Sequence, residues 1–494
     1  MNRREFILMG TSAAALPSVG MGPDNHSAVC VPQNEPRLKV GILSDVHVTN
    51  KTPGKRDSNE YLRKALRYFD AEKVDAVLIA GDLFTHGVTK ELEIVAETWF
   101  EVFPDDRGSD GRSVERLFIT GNHDICGWDY SLVQKGETRS QRAERLKNEI
   151  FDFRRREVWD RLFHEEYKPY FLKTVKGYPF LMRNWPSPDD ADRCLVREAM
   201  SEYGKVMREA KVCFYCQHNQ VADTVNAAWM LNGSPKWDDG QDRGPTHEVL
   251  ADYPNLVALT GHSHHSLADE RSIWQGEFTA VNCGCLVGWA FTHPGRENGH
   301  DCDSTSAPVR EMKEFDFLAV HQGMVMTVYD NCIRFHRREF RLDGVLGPDW
   351  IVPIGGTERP YAFASRAAAS KPPRFAKDAQ VKINEIANGS DRSGDAHPQI
   401  EAEFPPVTSA TGGDRAQDYS VRVEMRIGEI VRTMDEKRVY SERFMYAEKD
   451  ETLPVRCCFA RYSLPVGRDV RFIVTPYNCW MKPGDPIVSE WFRV

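Results

Sequence analysis

The sequence has no excess of basic residues and, beyond its first residues, no long apolar run. Its 64 lysines and arginines stand against 73 aspartates and glutamates, which gives a formal net charge of −9. Proteins that bind nucleic acids usually carry a basic excess, so no nucleic-acid partner is expected, although this balance leaves room for a local basic patch. After the N-terminal run no segment reaches the roughly 18 apolar residues of a transmembrane helix, so no membrane span is predicted.

The 12 cysteines do not form the evenly spaced framework of a small disulfide-rich scaffold. Cys213-x-x-Cys216 and Cys283-x-Cys285 could together form a four-cysteine zinc site. The second pair lacks the two-residue spacing that such sites use, and the first pair lies in the apolar run 211–216. Buried reduced thiols are common in such runs, and we favour that interpretation.

The N-terminus has the order of an export signal. Arg3 and Arg4 precede a short apolar run that extends to about Leu16. Paired arginines before a weak apolar stretch are typical of the twin-arginine route, so residues 1–30 are predicted to be a leader. The alternative is a cytosolic N-terminus with a chance arginine pair. The predicted location is therefore periplasmic or extracellular, and the context of Cys30 does not favour a lipid anchor.

Strands and helices alternate at the start of the chain. Apolar runs at 38–43, 74–80 and 115–120 are separated by segments with helical periodicity at 58–72 and 88–103. This order predicts βαβ units and a largely parallel sheet. A charged helical stretch at about 131–167 is expected to be an insertion lying over the fold.

Later segments predict a second, more antiparallel half. They are a hairpin at 170–184 turning near Lys176-Gly177, a helix at 191–209, strands at 211–216 and 256–260, and hairpin strands at 271–282, 315–321, 324–329 and 332–341. Two sheets packed face to face with helices outside would bury both sets of apolar residues. We therefore expect an α/β four-layer (α-β-β-α) sandwich over residues 38–345.

The last part of the chain has a different pattern. Residues 346–376 are predicted to be a linker, and residues 377–494 a small all-β sandwich. Short alternating strands such as 418–426, 455–463 and 469–475 are separated by polar loops at 388–397 and 408–416. The final segment is similar to the last hairpin of fibronectin type III-like domains.

Five short polar blocks each follow a predicted strand. They are Asp45-x-His47, Gly81-Asp82, Gly121-Asn122-His123-Asp124, His218, and Gly261-His262-Ser263-His264. Loops at the carboxyl ends of parallel strands meet at one edge of a sheet, so these side chains can converge. Mixed imidazole and carboxylate donors suit Zn, Mn or Fe better than Ca. An aspartate can bridge two such ions, and a histidine beside them can donate a proton.

The set and order of these blocks resemble the calcineurin-like metallophosphoesterase family over roughly residues 38–340. The family pattern is D-x-H, G-D, G-N-H-D/E, H and G-H-x-H. The resemblance implies two metal ions and assigns their ligands: Asp45, His47 and His264 for one ion, Asn122, His218 and His262 for the other, and Asp82 between them. It also implies that His123 is the general acid, that Asp124 orients His123, and that a metal-bridging hydroxide attacks phosphorus. The implied substrate is a small phosphomonoester or phosphodiester.

Other residues narrow these expectations. Purple acid phosphatases place a tyrosine ligand three residues after the Gly-Asp aspartate, where this chain has Thr85, so no iron–phenolate site is expected. His86 and His265 are expected to lie outside the cage. His293 and His300 could line the pocket, but exposed loop histidines are the default interpretation. Two other functions stay open, which are a catalytically silent metal-binding scaffold and an exported nuclease.

Overall fold

The computed structural model describes residues 31–50, 58–190, 193–226, 245–286, 321–390, 396–408, 411–441 and 454–494. The predicted leader, Cys30, His293 and His300 lie outside these residues, as does most of the predicted strand at 315–321. Across the described ranges, no helix is long and apolar enough to cross a membrane.

The first part of the chain alternates strands and helices as the sequence predicts. In chain order the elements are β1 (Leu38–Leu43), α1 (Ser58–Ala71), β2 (Ala76–Ala80), α2 (Thr89–Val102), β3 (Glu115–Ile119), α3 (Asn122–Ser131), α4 (Arg139–Leu146), α5 (Phe151–Phe163), β4 (Tyr170–Val175), β5 (Tyr178–Arg183), α6 (Leu195–Glu209), β6 (Cys213–Cys216), α7 (Pro245–Leu250), β7 (Leu256–Thr260), β8 (Ile273–Gln275) and β9 (Thr279–Asn282).

The remaining elements are mainly strands. They are β10 (Gln322–Val328), β11 (Cys332–Glu339), β12 (Gly344–Val345), β13 (Trp350–Pro353), α8 (Phe363–Ala369), β14 (Lys382–Ser390), β15 (Ala396–Phe404), β16 (Asp418–Ile427), β17 (Ile430–Tyr440), β18 (Val455–Ala460), β19 (Asp469–Tyr477), β20 (Ile487–Val488) and β21 (Phe492–Arg493).

Two mixed sheets form the larger part of the molecule. The first has the order β12-β11-β10-β1-β2-β3, with β13 also paired to β11, and the second has the order β4-β5-β6-β7-β9-β8. Strands β1, β2 and β3 are mutually parallel, as are β5, β6, β7 and β9. Each sheet therefore collects several strand carboxyl ends at one edge, where polar loops can meet.

Alternation along the strands explains which elements pack together. On β2, Leu78 belongs to an apolar cluster that takes side chains from both sheets, such as Phe214 of β6. The neighbouring Val77 belongs to a second cluster that includes residues of α1, α2 and α5. A third cluster joins α6 to side chains of β6 and β7 such as Tyr215. Successive residues of a strand point to opposite faces, so each sheet contributes to two clusters.

The helical stretch predicted as an insertion contributes to the main core. Phe151 and Val158 of α5 are fully buried among residues of α1 and α2. The predicted hairpin turn between β4 and β5 is confirmed. Lys176 and Gly177 both have positive φ, 48° and 85°, which is the conformation of a tight two-residue hairpin turn.

The C-terminal part is rich in strands, as expected. It has a three-stranded sheet β14-β15-β18 and a five-stranded sheet built around β17-β16-β19-β20. One apolar cluster takes side chains from both, including Phe459 of β18 and Phe472 of β19. Two details differ from the sequence prediction. In the predicted loop 388–397 the described residues 388–390 and 396–397 are strand, and the predicted linker contains β13 and α8.

Candidate metal centre

The polar blocks lie where the two sheets end. Asp45 follows β1, Asp82 follows β2 and Asn122 begins α3 just after β3, all in the first sheet. His218 follows β6 and His262 follows β7, both in the second. Backbone hydrogen bonds tie the loops together, from Asp45 N to Gly81 O at 3.1 Å and from Gly261 N to His218 O at 2.7 Å.

Five site residues have a left-handed backbone conformation. Asp45, His47 and Asp82 have φ of 51°, 49° and 51°, and His262 and His264 have φ of 69° and 51°. Residues with a Cβ avoid this region at a cost of about 1–2 kcal/mol each. Such residues persist only where the surrounding structure holds them, and they concentrate at functional sites.

Two glycines let the ligand loops approach one another. Gly81 has φ of 90°, and a Cβ there would lie 2.3 Å from Nδ1 of His218. A Cβ on Gly261 would lie 1.8 Å from Oγ of Ser44 and 2.8 Å from Oδ2 of Asp45. The Gly-Asp and Gly-His blocks therefore need glycine because a neighbouring side chain occupies the space of a methyl group.

Four buried residues form a first group of candidate ligands: Asp45, His47, Asp82 and His264. One donor atom from each lies within 4.8 Å of the others. The Nε2 atoms of His47 and His264 are 3.2 Å apart, and Nε2 of His264 is 2.9 Å from Oδ1 of Asp45. Nε2 of His47 lies 3.7 Å from Oδ2 of Asp82.

Asp82 also belongs to a second group, with His218 and His262, whose donor atoms again lie within 4.8 Å. Nε2 of His218 is 3.2 Å from Oδ2 of Asp82. Asn122 lies at the start of α3, next to His123, whose backbone N–H donates to Asp82. Oδ1 of Asn122 is buried without a hydrogen-bond partner among the described residues. The shared aspartate gives the two groups the arrangement of two adjacent ion sites.

The donor atoms fit metal ions on a structural test. Within the described part of the chain, Oδ1 of Asn122 is buried without a hydrogen-bond partner. Burying such a group unsatisfied costs roughly 1–3 kcal/mol, so it points to an absent partner. Two nitrogens at about 2.0–2.1 Å from one tetrahedral zinc would be roughly 3.3 Å apart. The His47 and His264 nitrogens have that separation, at 3.2 Å.

The charged groups of the site shift one another's pKa values. Burial alone would raise the pKa of Asp82, but His218 and His123 hold it well below its usual range. Burial would lower the pKa of His218, but Asp82 and Asp45 raise it to about 9. Burial and the neighbouring His218 lower the pKa of His262 to about 3. In the absence of an ion, His218 therefore holds a proton that a metal ion would have to displace.

His123 lies beside the two groups and its ring is oriented by a backbone carbonyl. Its Nδ1 is 2.9 Å from Thr85 O, and a carbonyl only accepts hydrogen bonds, so Nδ1 carries a hydrogen. The His123 backbone N–H donates to Oδ1 of Asp82 at 2.8 Å. This leaves Nε2 as the nitrogen that can exchange a proton with a substrate.

Asp124 does not orient His123 in the way the resemblance implied. Its carboxylate accepts hydrogen bonds from the backbone N–H groups of Leu83, Phe84 and Gly121, at 3.2, 2.9 and 2.7 Å. These bonds join the loop after β2 to the start of α3. Asp124 therefore holds the backbone that carries Asp82 and His123, while the Thr85 carbonyl contacts the ring.

The histidines and cysteines that the sequence analysis places outside the cage lie outside both ligand groups. Among the described residues, neither group includes His86, His265 or a cysteine. Nδ1 of His86 is 2.6 Å from the buried carboxylate of Glu91. Cys213, Cys216, Cys283 and Cys285 are buried and not in disulfides, as favoured from the sequence.

Several supporting contacts were not predicted. Ser44 Oγ donates to Oδ2 of Asp45 at 2.6 Å, and Nδ1 of His218 donates to Ala80 O at 2.7 Å. Asn122 Nδ2 donates to the hydroxyl of Tyr130 at 3.0 Å. Tyr130 follows Asn122 by eight residues, which is about two helical turns. In a helix the two side chains therefore lie on the same face, and this spacing is the sequence signal for their contact.

Comparison with known proteins finds one family match, over part of the chain. Residues 38–266 match the model of the calcineurin-like phosphoesterase family, and this segment contains all seven predicted ligands. No curated protein matches the chain.

Three solved structures are similar to the chain at low identity. A dimetal phosphatase from Danio rerio has 9% identity, with 65% of this chain and 100% of that chain covered and a TM-score of 0.38. A predicted phosphoesterase from Streptococcus pneumoniae has 11% identity, with coverage of 64% and 97% and a TM-score of 0.25. Vacuolar Protein Sorting 29 from Cryptosporidium parvum has 10% identity, with coverage of 64% and 98% and a TM-score of 0.27. These similarities are too low for a residue-level comparison.

Proposed function

We propose that this chain, whose residues 38–266 match the calcineurin-like phosphoesterase family, hydrolyses a small phosphomonoester or phosphodiester with the help of two metal ions. The observation that carries the proposal is the pair of candidate ligand groups that share the buried Asp82. A single structural ion would need neither the second group nor the shared carboxylate.

The ligand assignment follows from the two groups. Asp45, His47, Asp82 and His264 would hold one ion, and Asp82, Asn122, His218 and His262 the other. Imidazole and carboxylate donors favour Zn, Mn or Fe. Bound there, two ions would lower the pKa of a water molecule and neutralise charge on the phosphoryl oxygens.

His123 would act as the general acid. Its ring contacts the ring of His47 edge to face, with centroids 4.6 Å apart, so it lies next to the ligands without belonging to either group. The Thr85 carbonyl takes the Nδ1 hydrogen, which directs Nε2 to a leaving group. Donating a proton there would stop a poor leaving group from departing as an alkoxide.

Hydrolysis can be tested with p-nitrophenyl phosphate and bis-p-nitrophenyl phosphate, each with added Mn²⁺ or Zn²⁺. We expect turnover of at least one ester and two ions per chain by metal analysis. Asp82→Asn should abolish both, whereas Asp189→Asn, with a side chain 77% exposed, should change neither. A well-folded protein that binds no metal would refute the proposal, and one that binds metal but hydrolyses neither ester would favour the catalytically silent scaffold. Cleavage of single-stranded DNA or RNA in place of small esters would favour the nuclease.

We also propose the helix-sheet-sheet-helix layer order and a fibronectin type III-like C-terminal sandwich. The layer order is supported by the apolar cluster between the two main sheets and by the clusters that each of these sheets forms with helices. The C-terminal sandwich is supported by the apolar cluster that the two C-terminal sheets share. An experimental structure would test both, and a single-layer C-terminal region would contradict the second.

Export by the twin-arginine route is proposed from the sequence of the leader. Fusion of residues 1–30 to a reporter that works only after folded export should give signal outside the cytoplasm. Replacing Arg3 and Arg4 by lysine should abolish that signal. A signal that is unchanged in the double variant would contradict this route.

A further inference from the structure

One aromatic side chain contacts both a candidate metal ligand and the candidate acid. Tyr130 lies in α3, eight residues after Asn122, and its side chain is 49% exposed. Asn122 Nδ2 donates a hydrogen bond to the Tyr130 hydroxyl at 3.0 Å. The Tyr130 ring also packs edge to face against the His123 ring, with centroids 5.0 Å apart and planes at 89°.

The hydrogen bond favours the orientation of Asn122 that a metal ion requires. An asparagine side chain can present either its carbonyl oxygen or its NH₂ group, and only the oxygen can bind a cation. With Nδ2 bonded to Tyr130, Oδ1 is turned away and is buried with no hydrogen-bond partner in the described ranges. The Tyr130 hydroxyl therefore acts on the ligand as an outer partner, in the way that such partners orient other metal ligands.

The ring contact extends the same role to the acid. His123 is held at Nδ1 by the Thr85 carbonyl, and an aromatic neighbour packed against the imidazole restricts its rotation about that bond.

We propose that Tyr130 is a positioning residue of the metal centre, which fixes Asn122 through its hydroxyl and His123 through its ring. This inference rests on the proposed two-metal hydrolysis. It assigns the two functions to different parts of one side chain, so two substitutions can separate them.

The test compares Tyr130→Phe, Tyr130→Leu and the control Tyr462→Phe, whose side chain is 76% exposed in the C-terminal region. Metal-stripped proteins are titrated with Mn²⁺ by calorimetry, and rates are measured on aryl phosphates that differ in leaving-group pKa. Near-ultraviolet circular dichroism verifies that each variant is folded.

Tyr130→Phe should weaken one of two Mn²⁺ sites by about tenfold or more, in the range known for outer partners of metal ligands. Its dependence on leaving-group pKa should match wild type at saturating Mn²⁺, because the ring remains. Tyr130→Leu should lose the same affinity and, in addition, lose rate most on poor leaving groups. Tyr462→Phe should behave as wild type.

Two results separate the possible failures. If the wild-type protein binds fewer than two ions or hydrolyses no ester, the proposed function fails and this inference falls with it. If the wild-type protein does both and Tyr130→Phe binds Mn²⁺ with unchanged affinity, only the role of Tyr130 is refuted.

Discussion

Adding one methyl group at Gly81 should remove a metal ion from the site as well as reduce stability. Gly81 has φ of 90°, which residues with a Cβ rarely adopt. The new Cβ would lie 2.3 Å from Nδ1 and 2.6 Å from Cγ of the buried His218 ring. The ring and the backbone cannot both remain in place, and Nδ1 would lose its hydrogen bond to Ala80 O.

The expected cost has two parts. The backbone conformation costs about 1–2 kcal/mol for a residue with a Cβ. Forcing an extra methyl group into a packed region costs a further 1–3 kcal/mol or so. Gly111→Ala is a matched control, because Gly111 has φ of 83° and a Cβ added there would meet no other described residue within 4 Å. That variant should show only the first cost, and it should bind metal normally.

Urea unfolding of the metal-stripped proteins measures the two costs, and metal analysis counts the ions. We expect Gly81→Ala to be less stable than Gly111→Ala by about 1–3 kcal/mol and to retain at most one tightly bound ion. If the two variants were equally stable and both bound two ions, the Gly81 backbone would not determine the position of His218, and our account of the Gly-Asp block would be wrong.

Three further measurements test the site and its surroundings. His123→Ala should keep both ions but lose about 10²–10⁴-fold in rate on poor leaving groups, and equal losses on all leaving groups would contradict its role as acid. Because the pKa of His218 is raised to about 9, an ion must displace its proton. Apparent Mn²⁺ affinity should therefore fall by about tenfold for each pH unit below that value. An affinity that does not change between about pH 6 and pH 8 would refute this. Burial raises the pKa of Glu270, but Arg337 and Arg366 lower it overall. Its contribution to stability is therefore present above the unfolded pKa of about 4.3 and is lost as pH falls through the folded value. Wild type should accordingly unfold at higher urea than Glu270→Gln at neutral pH, and this difference should shrink in acid.

The ligand blocks could be predicted because their positions depend on simple geometry. Asp45, Asp82 and Asn122 follow consecutive parallel strands, and the carboxyl ends of such strands meet wherever the sheet forms. The partner of the His123 ring could not be predicted in this way. It is the Thr85 carbonyl, and a backbone atom has no sequence signature. The role of Asp124 was missed for the same reason, since its partners are backbone amides.

The C-terminal strands show how pairing overrides local composition. Residues 388–397 are rich in Gly, Ser and Asp, which favours a loop, yet β14 extends to Ser390. It pairs with β15 through an irregularity between Ile386 and Gly389, so the partner strand stabilises residues that would not form a strand alone. In contrast, α8 has a local signal in the sequence, because Ala-Ala-Ala at 367–369 favours helix within the predicted linker.

The helix in that segment connects the C-terminal sheets to the metal loop. Arg366 of α8 forms an ion pair with Glu270, six residues beyond the candidate ligand His264, and lies over the Trp480 ring at 5.5 Å. Lys482 Nζ donates to the Ser370 carbonyl just past α8 at 2.7 Å. Since these bonds run from the loop after β19 through α8 to the loop after β7, movement of the C-terminal region would strain the loop that carries His264. These contacts anchor α8 at both ends, in a segment that the sequence predicts to be a linker.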